Sequence, residues 1–172
     1  VTALTLGRAE LVMDLRPEPS GEIHLMQYLM QRLVLVANAT GVDPLGAWWR
    51  EPDRGLLATP DRTRDAAVRG RAIGFKGSFC VLDNQAGPLN QGFTPSGDEQ
   101  EAARRLLENY QARVDDTGAG DMPVKISDDR GGRITDLGAV AQAHNLLGLA
   151  SRCGGRDEEK AAALDQRPVP AN

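Results

Sequence analysis

The stretch from Gly74 to Gln85 constrains the fold more than any other part of this sequence. A helical pattern stops at Gly74, the chain turns through Gly77, and a short apolar run ending at Leu82 leads into polar residues. The run is short enough to be a buried strand, and Cys80 would then be buried within it. The order helix, turn, strand and loop predicts an α/β protein.

The chain before this stretch alternates between strand and helix patterns. Residues 1–6 are predicted to form a buried strand, with residues 7–11 as the loop at its carboxyl end. Residues 46–49 are predicted to form the next strand, followed by a polar loop over residues 50–57. Strands that alternate with helices favour parallel pairing through helical crossovers.

Two helices in this region carry recognisable end signals. The first is predicted between Ser20, as its N-cap, and Gly41, as its stop. The second begins with Thr59 as N-cap and Pro60 in the first helical position, and it runs to Gly74. These signals predict both crossover helices that precede the central stretch.

Beyond the central stretch the pattern is mainly helical. Residues 92–96 are predicted to open a helix, with Ser96 and Glu99 forming a capping box. Residues 124–126 give a weak strand signal, and a final helix is predicted to end at the glycine pair 154–155. The charged and then proline-rich residues that follow predict a frayed tail.

Composition and charge exclude several classes of function. A chain of 172 residues with 41% hydrophobic and 26% charged residues is typical of one soluble domain with a real core. The net charge of −4 argues against nucleic acid as the main partner. The longest apolar run is far below the roughly 20 residues that cross a bilayer, and no secretory signal is visible, so we expect a cytoplasmic protein without a membrane partner. Two cysteines do not make a disulfide framework.

Short motifs in a fixed order resemble the citrate lyase β-subunit and malyl-CoA lyase family, of the HpcH/HpaI aldolase-like type. Residues 6–15, LGRAELVMDL, are similar to the family's f-G-A-E-D-L-x-x-D-L. The central stretch is similar to G-F-D/K-G-K, a strand, and I-H-P-x-Q, and residues 93–95 match the F-(T/S)-P that follows. Residues 133–138, RITDLG, are similar to x-M-I-D-x-P. The resemblance covers about residues 4–150.

The resemblance implies an α/β fold of the (β/α)8 TIM-barrel type, of which this chain would hold the last three β/α units and a C-terminal helical lid. Residues 1–95 would form the C-terminal part of the barrel, residues 96–155 the lid and oligomerisation extension, and residues 156–172 a flexible tail. Three parallel strands alone leave an open edge and an uncovered face. We therefore expect the first five strands elsewhere in the full-length protein, with a partner supplying them as the alternative.

The resemblance also implies a magnesium-dependent carbon–carbon lyase or aldolase that acts on an acyl-CoA hydroxy acid by enolate stabilisation. Citryl-, malyl- and citramalyl-CoA are the candidate substrates, with coenzyme A as their thioester moiety. Glu10 stands where the family has its Mg²⁺ ligand Asp, so it is the candidate metal ligand. Asp136 stands where the family has an acid or base that reaches a neighbouring subunit's site, which implies a homo-oligomer, a trimer or hexamer.

Each of these assignments has a structural alternative. Glu10 could be a solvated loop carboxylate, and Asp136 stands where an N-cap would precede the last helix. The family's His and the acidic residue before its metal Asp are here Leu82 and Ala9. Two other functions therefore stay open: a catalytically degenerate subunit that serves binding or assembly, and an acyl-CoA thioesterase in which a metal-activated water attacks the thioester.

Overall fold

The computed structural model describes residues 1–49, 58–118, 124–126 and 133–165. The described part of the chain is a mostly helical α/β structure. Its helices are α1 (Arg8–Leu15), α2 (Pro19–Thr40), α3 (Pro60–Ala72), α4 (Ala86–Phe93), α5 (Gly97–Thr117) and α6 (Leu137–Asp165). Its strands are β1 (Ala3–Thr5), β2 (Asp43–Leu45), β3 (Val124–Ile126) and β4 (Arg133–Thr135). The polar loop predicted over residues 50–57 lies outside the described residues.

The chain divides into two compact units, Val1–Phe93 and Thr94–Asn172. In the first unit β1 and β2 pair in parallel, with Ala3 opposite Asp43. A single parallel bridge then joins Leu45 to Gly77, and the Gly46 amide donates to the Gly77 carbonyl at 2.8 Å. Three chain segments therefore run in the same direction side by side, which confirms the parallel order that the alternating pattern predicted.

The segment after β1 is a helix, so the loop predicted over residues 7–11 is wrong. Helix α1 begins at Arg8, and its first backbone bond runs from the Leu11 amide to the Gly7 carbonyl at 3.1 Å. Its residues, RAELVMDL, are mostly good helix formers, which explains why this segment coils at once. The helix ends at Arg16, whose φ of 47° is the left-handed conformation of a C-cap.

The second strand ends before Gly46, so the strand predicted over residues 46–49 is also wrong. The Trp48 amide donates to the carbonyl of Ala66 in α3 at 2.9 Å instead of to a neighbouring strand. A Cβ added to Gly70 would lie 3.0 Å from the Gly46 carbonyl oxygen and 3.1 Å from Ala47 Cα. Because Gly70 has no side chain, this backbone can approach α3 closely enough to bond to it.

The buried strand predicted after Gly77 does not form. Phe79 and Val81 are 63% and 66% exposed. The Val81 amide donates instead to the side-chain carbonyl of the buried Gln85, at 3.2 Å. Since that local bond satisfies the amide, it needs no strand partner. Cys80 is therefore exposed rather than buried, and both Cys80 and Cys153 are free thiols.

The predicted helix ends hold in part. Thr59 caps α3 by accepting from the Arg62 amide at 3.3 Å, and Gly41 is the C-cap of α2, both as predicted. The N-cap of α2 is Glu18, so the prediction of Ser20 is wrong. Pro19 accounts for the difference, since proline at the first helical position allows the helix to begin before Ser20.

Helix α4 is an element that the sequence patterns did not indicate. Residues 92 and 93 end this helix rather than opening the next one. It packs against α3 around a small core of Ala47, Ala66, Ala67 and Leu89, with Trp49 and Phe93 against it. A Cβ added to Gly92 would clash with the Arg64 carbonyl and lie 2.5 Å from Ala67 Cβ. Close packing of α4 on α3 therefore depends on small residues on both helices.

In the second unit, α5 and α6 pack against each other. The predicted capping box is confirmed: the Glu99 amide donates to Ser96 Oγ at 3.2 Å, and the Ser96 amide donates to Glu99 Oε2 at 2.8 Å. Tyr110 of α5 is buried, with Val114 and Val140 packed against it. The predicted strand at residues 124–126 is confirmed as β3, which pairs antiparallel with β4.

The last helix continues past the glycine pair that was predicted to end it. Helix α6 runs through Gly154 and Gly155 to Asp165. A glycine inside a helix costs only about 1 kcal/mol relative to alanine, so two glycines need not stop a helix of this length. The flexibility predicted for residues 156–172 stays a prediction. Within the described residues, no helix combines the length and the apolar character that crossing a membrane requires.

We expect Gly92→Ala to lower the free energy of unfolding by about 1–3 kcal/mol, because the added methyl group has no space between α4 and α3. Gly87→Ala is the matched control on the same helix, since a Cβ there meets nothing within 4 Å. It should be neutral or slightly stabilising. Urea unfolding of both variants checks this, and equal stability of the two would contradict the close packing.

Candidate functional site

A cavity of about 240 Å³ lies at the carboxyl ends of the three parallel segments. Thr5 and Leu6 reach it from the end of β1, and residues 45–47 reach it from the end of β2. Ser78 and Phe79 reach it directly after the Gly77 bridge. In α/β folds, ligands bind beyond the carboxyl ends of the strands, so this cavity is the candidate site of the first unit.

The wall of the cavity is mainly apolar. Met26 and Met30 come from α2, where they lie one turn apart, and Trp49 and Phe75 add aromatic surface. The described residues that line it are Thr5, Leu6, Arg8, Met26, Met30, Leu45, Gly46, Ala47, Trp49, Phe75, Ser78 and Phe79. An apolar wall with a few polar groups is the usual make-up of a small-molecule site, in which the polar groups orient the ligand.

Arg8 is the only charged side chain among these described lining residues. Its Nη2 donates to Oε1 of Glu22 at 2.5 Å. The Arg8 side chain is 28% exposed and that of Glu22 is 11% exposed. The local sequence explains the pairing: α1 begins directly after β1 and places Arg8 at its first position, while Glu22 lies in the first turn of α2. Arg8 therefore lines the cavity, and Glu22 is not among the described lining residues.

Glu10, the predicted magnesium ligand, is exposed in the first turn of α1 and is not one of the lining residues. Its carboxylate folds back toward the start of the helix, since a Cβ added to Gly7 would lie 2.8 Å from Glu10 Oε2. A negative charge at a helix N-terminus is favourable in itself. This placement agrees with the alternative of a solvated carboxylate, although in a helix rather than a loop. The role as metal ligand stays a prediction.

The described residues contain no large cluster of metal-ligating side chains. Among them, no three or more His, Cys, Asp or Glu side chains come close enough together to hold a metal ion. Magnesium is usually held by one or two protein carboxylates together with water and substrate oxygens. A site of that kind needs no cluster of three, so the role of Glu10 as a metal ligand is decided by neither observation.

Asp136 lies in the second unit as the N-cap of α6. Its Oδ1 accepts from the Ala139 amide at 2.9 Å, and its carbonyl accepts from the Val140 amide at 3.1 Å. The structural alternative raised for this residue is thus confirmed. The side chain is exposed, and the catalytic role predicted for it stays a prediction.

Arg8 is the candidate site residue that the sequence patterns did not indicate. The family motif has Ala at this position, and the motif residue with a known role, the metal ligand, corresponds to Glu10 instead. A signal was nevertheless present: a basic residue directly after a strand end, followed by a carboxylate in the first turn of the next long helix. What the sequence could not show is that these two side chains meet.

Comparisons with known proteins identify the fold. No protein-family model and no curated protein sequence matches this chain. Among solved structures, the protein CitE from Mycobacterium tuberculosis, in complex with magnesium, acetoacetate and coenzyme A, matches with a TM-score of 0.55 and 19% identity, over 74% of this chain and 42% of that one. A citrate lyase from Burkholderia xenovorans LB400 matches with a TM-score of 0.63 and 16% identity, over 90% of this chain and 47% of that one.

This chain has a citrate lyase-like fold. The resemblance predicted from the motifs is confirmed at the level of structure, over part of those chains. The chain spans less than half the length of each of the two solved structures. At 16–19% identity the likeness establishes the fold alone, and it assigns no chemistry to the cavity.

We expect Arg8→Met to lower the free energy of unfolding by about 2–4 kcal/mol, because it removes a cation that compensates a buried carboxylate. The loss of stability should be smaller than for a fully buried ion pair, because the Arg8 side chain is 28% exposed. Arg8→Met/Glu22→Gln should recover part of the loss. Arg32→Met, at an exposed position of α2, is the control. Urea unfolding measures all three, and a double variant no more stable than Arg8→Met would contradict the pairing.

Proposed function

We propose that this chain is part of a magnesium-dependent carbon–carbon lyase or aldolase that acts on an acyl-CoA hydroxy acid of the citryl-, malyl- or citramalyl-CoA type. The observation that carries the proposal is the cavity at the carboxyl ends of parallel strands, in a fold similar to two citrate lyase-like structures. One of these contains magnesium, acetoacetate and coenzyme A, which supports the same class of ligand here.

In this proposal, the described residues of the first unit form one wall of the site. The apolar side chains of Met26, Met30 and Phe75 keep that wall dry, which strengthens any electrostatic interaction made inside it. Magnesium, when bound, would act as a Lewis acid on a ketone or alkoxide oxygen. Glu10 would hold it at one coordination position.

The remaining parts of the site would come from outside this unit. Asp136 would act as acid or base in the site of a neighbouring subunit, in a trimer or hexamer. The first five strands of a (β/α)8 barrel would supply the second metal carboxylate and the coenzyme A contacts. Support for this comes from the three parallel segments and from the matched share, 42% and 47%, of the two solved chains.

A catalytically degenerate subunit that serves binding or assembly is the second candidate. Three observations favour it: Glu10 is exposed and outside the cavity lining, Ala9 replaces an acidic family residue, and Leu82 replaces the family's His. A subunit of this kind would keep the cavity and would show no turnover.

Glu10→Ala should reduce magnesium-dependent release of an oxo acid from malyl-CoA or citramalyl-CoA by about 100-fold or more. Loss of an outer-shell partner alone costs roughly 10–100-fold, so loss of a direct ligand should cost at least as much. Glu10→Asp, which restores the family's residue, should keep turnover. Glu18→Ala, at an exposed position, should leave it unchanged.

The assay uses the full-length protein with magnesium and with a chelator. Unchanged turnover in Glu10→Ala would show that Glu10 is not the ligand. A wild-type protein without turnover on citryl-, malyl- and citramalyl-CoA would favour the degenerate subunit over the lyase.

Asp136→Asn should separate capping from catalysis, because Asn caps a helix about as well as Asp. We expect this variant to unfold like the wild type while losing turnover. Asp136→Ala should lose turnover and also about 0.5–2 kcal/mol of stability. Mixing Asp136→Asn subunits with Glu10→Ala subunits should restore part of the turnover if each site draws on two subunits. A mixture as inactive as its parts would contradict the shared site.

A further inference from the structure

We propose that Arg8 is the residue that recognises the carboxylate of a small organic acid in the cavity, with Glu22 holding its guanidinium in place from behind. The class of ligand is a carboxylate on a short, weakly polar carbon chain. The choice of an oxo acid within this class rests on the proposed function, whereas the role of Arg8 rests on the cavity itself.

The chemistry of the lining selects a ligand with one anionic end. Arg8 is the only charged group among the described lining residues, and most of the others are apolar. An arginine that is already paired with a carboxylate can still donate to a second one, and an apolar surrounding strengthens such a charge-assisted hydrogen bond. The apolar remainder of the wall favours a ligand whose other end carries no charge.

Of the two residues in this ion pair, Arg8 is the one that lines the cavity. Arg8 is 28% exposed and lines the cavity, whereas Glu22 is 11% exposed and does not line it. A guanidinium is a planar fork of five N–H donors, suited to bidentate contact with a carboxylate. The 2.5 Å bond from Nη2 to Glu22 fixes the plane of that fork before a ligand arrives, which lowers the entropy cost of binding.

The described residues enclose about 240 Å³, which is enough space for the carboxylate end of a small acid. Met26 and Met30 have flexible side chains, which can adapt to small differences in the shape of the acid.

The test compares acetoacetate with its neutral analogue acetoacetamide, which has nearly the same shape. Binding to the full-length protein is measured by calorimetry, and by the fluorescence of the tryptophans, of which Trp49 lines the cavity. The wild type should prefer acetoacetate by about tenfold or more, the effect of a hydrogen bond to a charged group. No preference, or no binding of either probe, would overturn the proposal.

Arg8→Met/Glu22→Gln removes both charges of the pair and should bring the affinities of the two probes close together. Glu22→Gln alone keeps the cation and should retain the preference for acetoacetate. Arg32→Met, on the exposed side of α2, should bind like the wild type. A folded double variant that keeps the full preference for acetoacetate would show that Arg8 does not recognise the carboxylate.

Chemical modification of the wild-type protein gives a second measurement that does not depend on the folding of a variant. Phenylglyoxal labels arginine side chains, and peptide mass analysis shows which of them react. Acetoacetate should slow the labelling of Arg8 and leave that of Arg32 unchanged, whereas acetoacetamide should protect neither. Labelling of Arg8 at the same rate with and without acetoacetate would overturn the proposal.

Two outcomes distinguish the role of Arg8 from the lyase assignment. If acetoacetate binds through Arg8 but no acyl-CoA substrate is cleaved, the lyase assignment fails and the recognition by Arg8 stands. If acyl-CoA cleavage occurs and is equally fast in the folded double variant, the lyase assignment stands and the role of Arg8 fails.

Discussion

Parallel pairing of three chain segments is the constraint on which the first unit depends. β1 pairs with β2, and β2 is bridged to Gly77, so the carboxyl ends of all three meet at one edge. Parallel strands need long crossovers, and α2 and α3 provide them. The same geometry places the chain that leaves each strand around one cavity. The site is thus a direct consequence of strand direction.

Glycines allow the helices and loops around the parallel segments to pack closely. Gly70 admits the backbone that follows β2, and Gly92 admits α4 against α3. Because the Trp48 amide bonds to a helix carbonyl, the chain after β2 turns away from the sheet and brings Trp49 into the cavity wall. Backbone contact, rather than a large apolar core, accounts for much of the shape of this wall.

The charged groups of the two units have different surroundings. In the first unit Arg8 and Glu22 are partly buried and form an ion pair beside the cavity. Glu10, two residues after Arg8, points its carboxylate back at the start of its own helix. In the second unit Asp136 caps a helix, a structural role that is compatible with chemistry because its carboxylate is exposed. The likeness to citrate lyase structures establishes a common fold and does not extend to these local settings.

Local patterns alone determined the features whose signals lie within a few residues of each other: the Thr59 cap and the Ser96 and Glu99 capping box. Such features depend on bonds between near neighbours, so the sequence is sufficient to predict them. The absence of a strand after Gly77 could not be predicted, because an apolar run forms a strand only if a neighbouring strand bonds to its backbone, and here the Gln85 side chain bonds to the Val81 amide instead. The pairing of Arg8 with a carboxylate fourteen residues away was likewise decided by tertiary structure, since it depends on how α1 and α2 are placed.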